Sequence, residues 1–134
     1  MITVKTIVNA PIDKIWEFWT TPKHIQKWNN TTDDWHTPFV ENDVKVGGKF
    51  KYTMVLKDES ICFDFEGIYT NVESFSVIAY QLVDNRTGIV EFEIQGDKVE
   101  ITEIFEPNRA NPEDEQKQFC QGVIDNFKRY TEAN

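Results

Sequence analysis

The stretch NPEDEQKQFCQGVIDNFKRY, residues 111–130, decides the fold. Asn111 is a residue type that caps helices, and Pro112 with the three acidic residues after it suits the positive end of a helix dipole. At about 100° per residue the apolar side chains fill one arc of about 140°, and the polar ones lie opposite. The apolar residues are Phe119, Cys120, Val123, Ile124, Phe127 and Tyr130. The stretch therefore predicts a long terminal helix that lies on an apolar surface.

The middle of the chain supplies such a surface, because its apolar residues alternate with a period of two. Phe50, Tyr52 and Met54 fall on one face of a predicted strand, and residues 61–69 and 90–94 alternate in the same way. Turn residues recur at 47–48, 57–60, 84–88 and 96–97. This pattern predicts an antiparallel meander of about six strands, with one aromatic face against which the terminal helix packs.

Upstream of the meander, the sequence predicts one strand and two short helices. Residues 2–8 are rich in β-branched side chains and end near Pro11, which suits the start of a helix. Large apolar residues follow at helical spacing, and Pro22 starts a second short helix that includes Trp28. The whole chain is predicted to be α+β: a curved antiparallel sheet of about six to seven strands around a long C-terminal helix, with two short helices after the first strand.

Composition limits both the size and the partners of this protein. The 134 residues suit one domain, 1–134, and 23 acidic against 14 basic residues give a formal net charge of -9. That charge disfavours nucleic acid and membrane surfaces as partners. Cys62 and Cys120 are far apart and suggest neither a disulfide nor a zinc site, so no metal and no cofactor are expected. The N-terminus lacks the pattern of a signal peptide, so we expect a cytoplasmic protein.

Several segments form a pattern that extends over essentially the whole chain. They are VNAP at 8–11 with Trp16, WHTP at 35–38, DVKVGGKF at 43–50, FEGIY at 65–69, EIFEP at 103–107 and GVIDNFK at 122–128. The pattern resembles the SRPBCC (START-like, Bet v 1-like) superfamily. More narrowly, it resembles the AHSA-like branch, homologous to the C-terminal domain of the activator of heat shock protein 90 ATPase. The resemblance implies a helix-grip fold, but members of this superfamily differ widely in function.

A sheet curled around a helix usually leaves a cavity, and apolar cavities are the usual sites for small molecules. The alternative is that the same aromatic residues simply fill the core of a small domain. The predicted lining is Trp16, Trp28, Trp35, Phe50, Tyr52, Met54, Phe63, Phe65, Phe92, Glu103, Phe119, Val123 and Phe127.

Glu103 is the one charged member of that set. It shares strand parity with Val99, Ile101 and Phe105, which places a carboxylate on the apolar face. It could orient a ligand or act as a weak candidate for a general acid or base. Alternatively, it reaches solvent or an internal partner such as a neighbouring tyrosine.

The polar loop after the second short helix is the predicted mouth of the cavity. Asp33, Asp34 and His36 lie there beside Trp35, where they could bind or admit a ligand. Solvated loop charges are the alternative interpretation.

Three functions are consistent with these features. The first is a binding protein for a small hydrophobic molecule held between sheet and helix. The second, implied by the resemblance, is a stress-response or chaperone-associated domain whose partner is a protein. The third is a cofactor-free enzyme of the cyclase or dehydratase type. An exposed edge strand would also allow a homodimer.

Overall fold

Seven strands and three helices follow one another in the computed structural model, which describes residues 1–134. Their order is β1 (Ile2–Val8), α1 (Ile12–Thr20), α2 (Pro22–Trp28), β2 (Trp35–Asn42), β3 (Lys49–Leu56), β4 (Cys62–Glu73), β5 (Val77–Leu82), β6 (Thr87–Gln95), β7 (Lys98–Phe105) and α3 (Glu113–Ala133). This confirms the predicted α+β helix-grip fold, with seven strands.

All seven strands belong to one antiparallel sheet in the order β1-β7-β6-β5-β4-β3-β2. The first strand therefore pairs with the last, and the remaining strands form a simple meander. The pairing shifts register between His36 and Phe39 on β2 and between Tyr69 and Asn71 on β4. Irregularities of this kind bend strands, and they let the sheet curl into a half-barrel around α3.

Side chains alternate along the strands as the sequence predicts. On β1, residues 2, 4, 6 and 8 are buried while those between them are exposed. Val99 and Ile101 on β7 and Val90 and Phe92 on β6 point to the same inner face. The inner face is largely apolar because most inward positions carry a residue that gains by leaving water.

The helix α3 packs its apolar side on this inner face. Ile124, Phe127 and Thr131 are buried, whereas the apolar residues nearer its start are only half-buried. The expected cap is wrong in one detail, because the N-cap position is Pro112 and no side chain caps it. Gln116 in the first turn of α3 connects the helix to the preceding loop, because its side-chain amide donates to the carbonyl oxygens of Asn108 and Asn111, at 2.7 and 2.9 Å.

Candidate functional site

A pocket lies between the inner face of the sheet and the first half of α3, with a volume of about 720 Å³. Strands β3 to β7 contribute one wall, α3 the opposite wall, and α2 with the start of β2 a third side. Nineteen of its 29 lining residues are hydrophobic, so its character is that of an apolar site with a few polar groups.

Most of the predicted lining residues border this pocket. They are Trp28, Trp35, Phe50, Tyr52, Met54, Phe63, Phe65, Glu103, Phe119 and Val123. Trp35 forms one end of the lining, where its ring packs edge-on against Phe63 and Phe119 at centroid distances of 5.6 and 5.4 Å.

Trp16, Phe92 and Phe127 do not line the pocket. Phe127 is fully buried, with ring centroids 4.9 Å from both Trp19 and Trp28. Trp16 packs edge-on against Phe92 at 5.5 Å. The reason is that α1 and α2 cover the second half of α3, so this part of the predicted lining is solid core. Only the first half of the helix faces open space.

The predicted mouth residues Asp33, Asp34 and His36 are exposed and do not border the pocket. Most of the polar residues that line the pocket form a rim at the start of α3, in the loop before it and near the turn between β5 and β6. Lining residues there are Arg86, Thr87, Glu106, Asn108, Asn111, Glu115 and Gln116. The sequence carried a signal for this, because a polar loop leads directly from β7, which bears Glu103, into the helix that covers the sheet.

Hydrogen bonds hold the rim in place. Thr87 donates both its backbone N–H and its hydroxyl to Glu106 Oε1, at 3.1 and 2.7 Å, and these bonds hold the pKa of that carboxyl below its usual range. The backbone N–H of Asn108 donates to Gln116 Oε1 at 2.8 Å. The loop before α3 is thus tied to both the sheet and the helix.

Glu103 lies on the pocket side of β7, between Val4 of β1 and Val90 of β6. Its side chain forms no hydrogen bond or ion pair, and burial raises the pKa of this carboxyl from the usual 4.5 to about 7. The residue as a whole is half-buried, because its side chain borders the pocket. A carboxyl in such a place is costly to ionise unless something compensates its charge.

Three tyrosines surround the same inner wall. Burial raises the pKa of Tyr52, Tyr69 and Tyr80, so their hydroxyls stay protonated. Tyr69 donates its hydroxyl to Asn42 Oδ1. The charge of Glu103 contributes to the raised pKa of Tyr52 and Tyr80 and of the Cys120 thiol on α3. These groups therefore lie within electrostatic range of the carboxyl.

No three His, Cys, Asp or Glu side chains are grouped closely enough to hold a metal ion. None of the helices combines the length and the apolar character that crossing a bilayer requires.

The curled antiparallel sheet, the gripped terminal helix and the pocket between them define a protein of the helix-grip class. Residues 9–132 match the profile of the family described as Activator of Hsp90 ATPase homolog 1-like protein. Since that match covers nearly the whole sequence, the chain belongs to this family. No curated protein matches it.

Solved structures agree with the assignment. A protein from Cytophaga hutchinsonii, solved in solution, is 41% identical, with 99% of this chain and 92% of that chain covered and a TM-score of 0.85. The AHSA1-like protein from Aeromonas hydrophila is 33% identical, with 98% and 93% covered and a TM-score of 0.88. A protein from Nitrosomonas europaea shares the fold at 16% identity, with 98% and 94% covered and a TM-score of 0.83.

Proposed function

We propose that this protein binds a small hydrophobic molecule in the pocket between its sheet and α3. The observation that carries the proposal is the pocket itself, with its volume of about 720 Å³ and its mostly hydrophobic lining. Sites for small molecules in proteins commonly measure about 300–1,000 Å³ and have this composition.

The packing of the aromatic residues supports the proposal. Empty apolar volume lowers stability, because the atoms around it lose their contacts. In this small domain Phe119 and Val123 of α3 nevertheless border the pocket and are only half-buried, while Phe127 on the same helix is fully buried. A chain that needed every aromatic residue for its core would close this space.

The test is direct binding of a neutral apolar probe, N-phenyl-1-naphthylamine, followed by its fluorescence. We expect saturable binding at one site. Replacing Val123 with Trp should abolish it, because the indole would fill the pocket from the helix side. Gln118→Trp is the matched control, since Gln118 lies exposed on the same helix and should leave binding unchanged.

Native mass spectrometry of freshly purified protein adds a second readout, in which a retained small molecule should be lost from Val123→Trp and kept by Gln118→Trp. Binding that does not saturate, or that survives Val123→Trp at full strength in a folded variant, would contradict the proposal.

The chaperone-associated and catalytic alternatives stay predictions. The family description is what supports a protein partner. For catalysis, Glu103 is the candidate, because burial raises the pKa of its carboxyl to about 7, whereas the raised pKa of each pocket tyrosine keeps its hydroxyl protonated.

A further inference from the structure

The unpaired carboxyl of Glu103 places a chemical requirement on the occupant of the pocket. Its strand neighbours on the inner face, Val99 and Ile101, are buried and apolar, and no ion pair joins Glu103 to Arg86, the one basic residue that lines the pocket. A buried carboxylate is ordinarily paired, because leaving it alone costs free energy. The structure supplies no partner from the protein, so the natural partner is a group of the ligand.

The charged residues that border the pocket also favour a positively charged group on the ligand. Asp64, Glu106 and Glu115 border the pocket, and Arg86 is the one basic residue that does so. Arg86 is already paired, since its Nε lies 2.7 Å from Asp84 Oδ2. The formal net charge of -9 adds a general negative field. An approaching carboxylate or phosphate is repelled, whereas a cation is attracted.

Aromatic rings complete the environment. Tyr52 and Tyr80 lie within electrostatic range of Glu103, and the rings of Phe65 and Tyr80 pack at a centroid distance of 5.6 Å on the same wall. The faces of such rings carry negative potential and attract cations, most strongly where water is excluded. Both tyrosine hydroxyls are neutral, so they give Glu103 no counter-charge.

Three head groups can be compared against this wall. A carboxylic acid would bring a second negative charge beside Glu103 and would bind only with protonation of one of the two. An alcohol could donate one hydrogen bond but would leave the carboxylate without a counter-charge. A protonated amine supplies the hydrogen bond and the opposite charge together.

We infer that the ligand of this pocket is a hydrophobic amine, whose apolar body fills the aromatic cavity and whose protonated nitrogen pairs with the carboxylate of Glu103. The inference rests on the proposed function of the pocket and specifies the class of molecule that it selects.

The experiment compares three probes with one apolar body: 4-phenylbutylamine, 4-phenylbutan-1-ol and 4-phenylbutyric acid. Dissociation constants come from chemical-shift titrations of the ¹⁵N-labelled protein at about pH 8, where the amine is protonated and Glu103 is ionised. We expect the amine to bind more tightly than the alcohol, and at least about tenfold more tightly than the acid.

Two variants locate the preference. Glu103→Gln should reduce binding of the amine to the level of the alcohol, with a much smaller change for the alcohol, because the amide oxygen still accepts a hydrogen bond but carries no charge. Glu100→Gln is the matched control, because Glu100 lies on the opposite face of the same strand and loses the same charge. It should keep the preference for the amine.

A direct titration of the Glu103 carboxyl carbon by NMR in the wild-type protein does not depend on the variants. Saturating 4-phenylbutylamine should lower the pKa of Glu103, because ligand binding and proton release are linked.

The outcomes separate the two proposals. Binding of the alcohol with no preference for the amine, a preference that survives Glu103→Gln, or a carboxyl whose pKa ignores the amine would overturn the inference alone. Failure of all three probes to bind would overturn the proposed pocket function and this inference with it.

Discussion

Glu103 shows how one residue can depart from its surroundings and so indicate a function. Strand alternation is enough to place it among Val99, Ile101 and Phe105 on the inner face. Alternation does not show whether the carboxyl forms a hydrogen bond within the protein, for which a neighbouring tyrosine is a candidate. In the structure it has none, and it faces the pocket instead.

The raised pKa of Glu103 makes stability depend on pH. The folded state binds the Glu103 proton more tightly than the unfolded state does. The stabilisation that this proton gives is therefore complete below about pH 4.5 and is lost as pH rises through about 7. The loss is at most about 3.5 kcal/mol, at roughly 1.4 kcal/mol per pKa unit. We therefore expect Glu103→Gln to be closest in stability to the wild-type protein near pH 4 and to be more stable than it near pH 8.

Urea denaturation of both proteins at the two pH values measures this. Taking the difference between variant and wild type removes the contributions of other groups, among them Glu106 and Glu132, whose lowered pKa values act in the opposite direction. A difference between the two proteins that does not change with pH would contradict the raised pKa.

At the scale of the element, the two halves of α3 have different structural roles. The second half, with Phe127, is core, and the first half, with Phe119 and Val123, covers the pocket, while Ile124 between them is buried and still borders it. Helical periodicity assigns all four residues to one face. It cannot tell them apart, because the difference arises from α1 and α2 packing against only one end of the helix.

Gly122 lies near the middle of α3, where the helix approaches the loop after α2 closely. A Cβ atom there would come within 2.2 Å of Thr31 Oγ1 and 3.0 Å of the Thr31 carbonyl oxygen. We expect Gly122→Ala to destabilise the protein by roughly 1–3 kcal/mol. Alanine is favoured over glycine in a helix by about 1 kcal/mol, so helix propensity alone predicts the opposite sign.

Thermal and urea denaturation of the single and double variants test this. Thr31→Ala removes the hydroxyl but not the carbonyl, so it should restore part of the loss in the background of Gly122→Ala. A stabilised Gly122→Ala variant would show that the loop moves away at no cost.

At the scale of the whole molecule, both edges of the sheet are protected. On β1, the outward carbonyl oxygens of Lys5 and Ile7 accept hydrogen bonds from Gln121 and Lys128 of α3, at 2.9 and 2.6 Å. On β2, Pro38 has no N–H to donate, and Gln26 donates to its carbonyl oxygen at 2.8 Å. Edges occupied in this way are poor templates for another strand.

We therefore expect a monomer in solution, although an unprotected edge strand would have allowed a dimer. Light scattering should give the mass of one chain, 15.7 kDa. The double variant Gln121→Ala with Lys128→Ala uncovers β1 and should increase self-association, whereas Lys117→Ala, on the exposed side of α3, should not. A wild-type mass of two chains would show that some other surface pairs.

The sequence by itself determined the architecture: period-two alternation specifies which face of each strand is apolar, and the helical arc of α3 needs that face to cover it. These are local patterns, and they also place Glu103 on the inner side. Only the tertiary structure decided where the pocket lies and where it opens. Trp16, Phe92 and Phe127 have the pattern of lining residues, yet α1 and α2 enclose them in core. Glu106 and Gln116 are among the residues that line the pocket and Asp33, Asp34 and His36 are not, because free volume depends on how distant elements meet, which local periodicity does not encode.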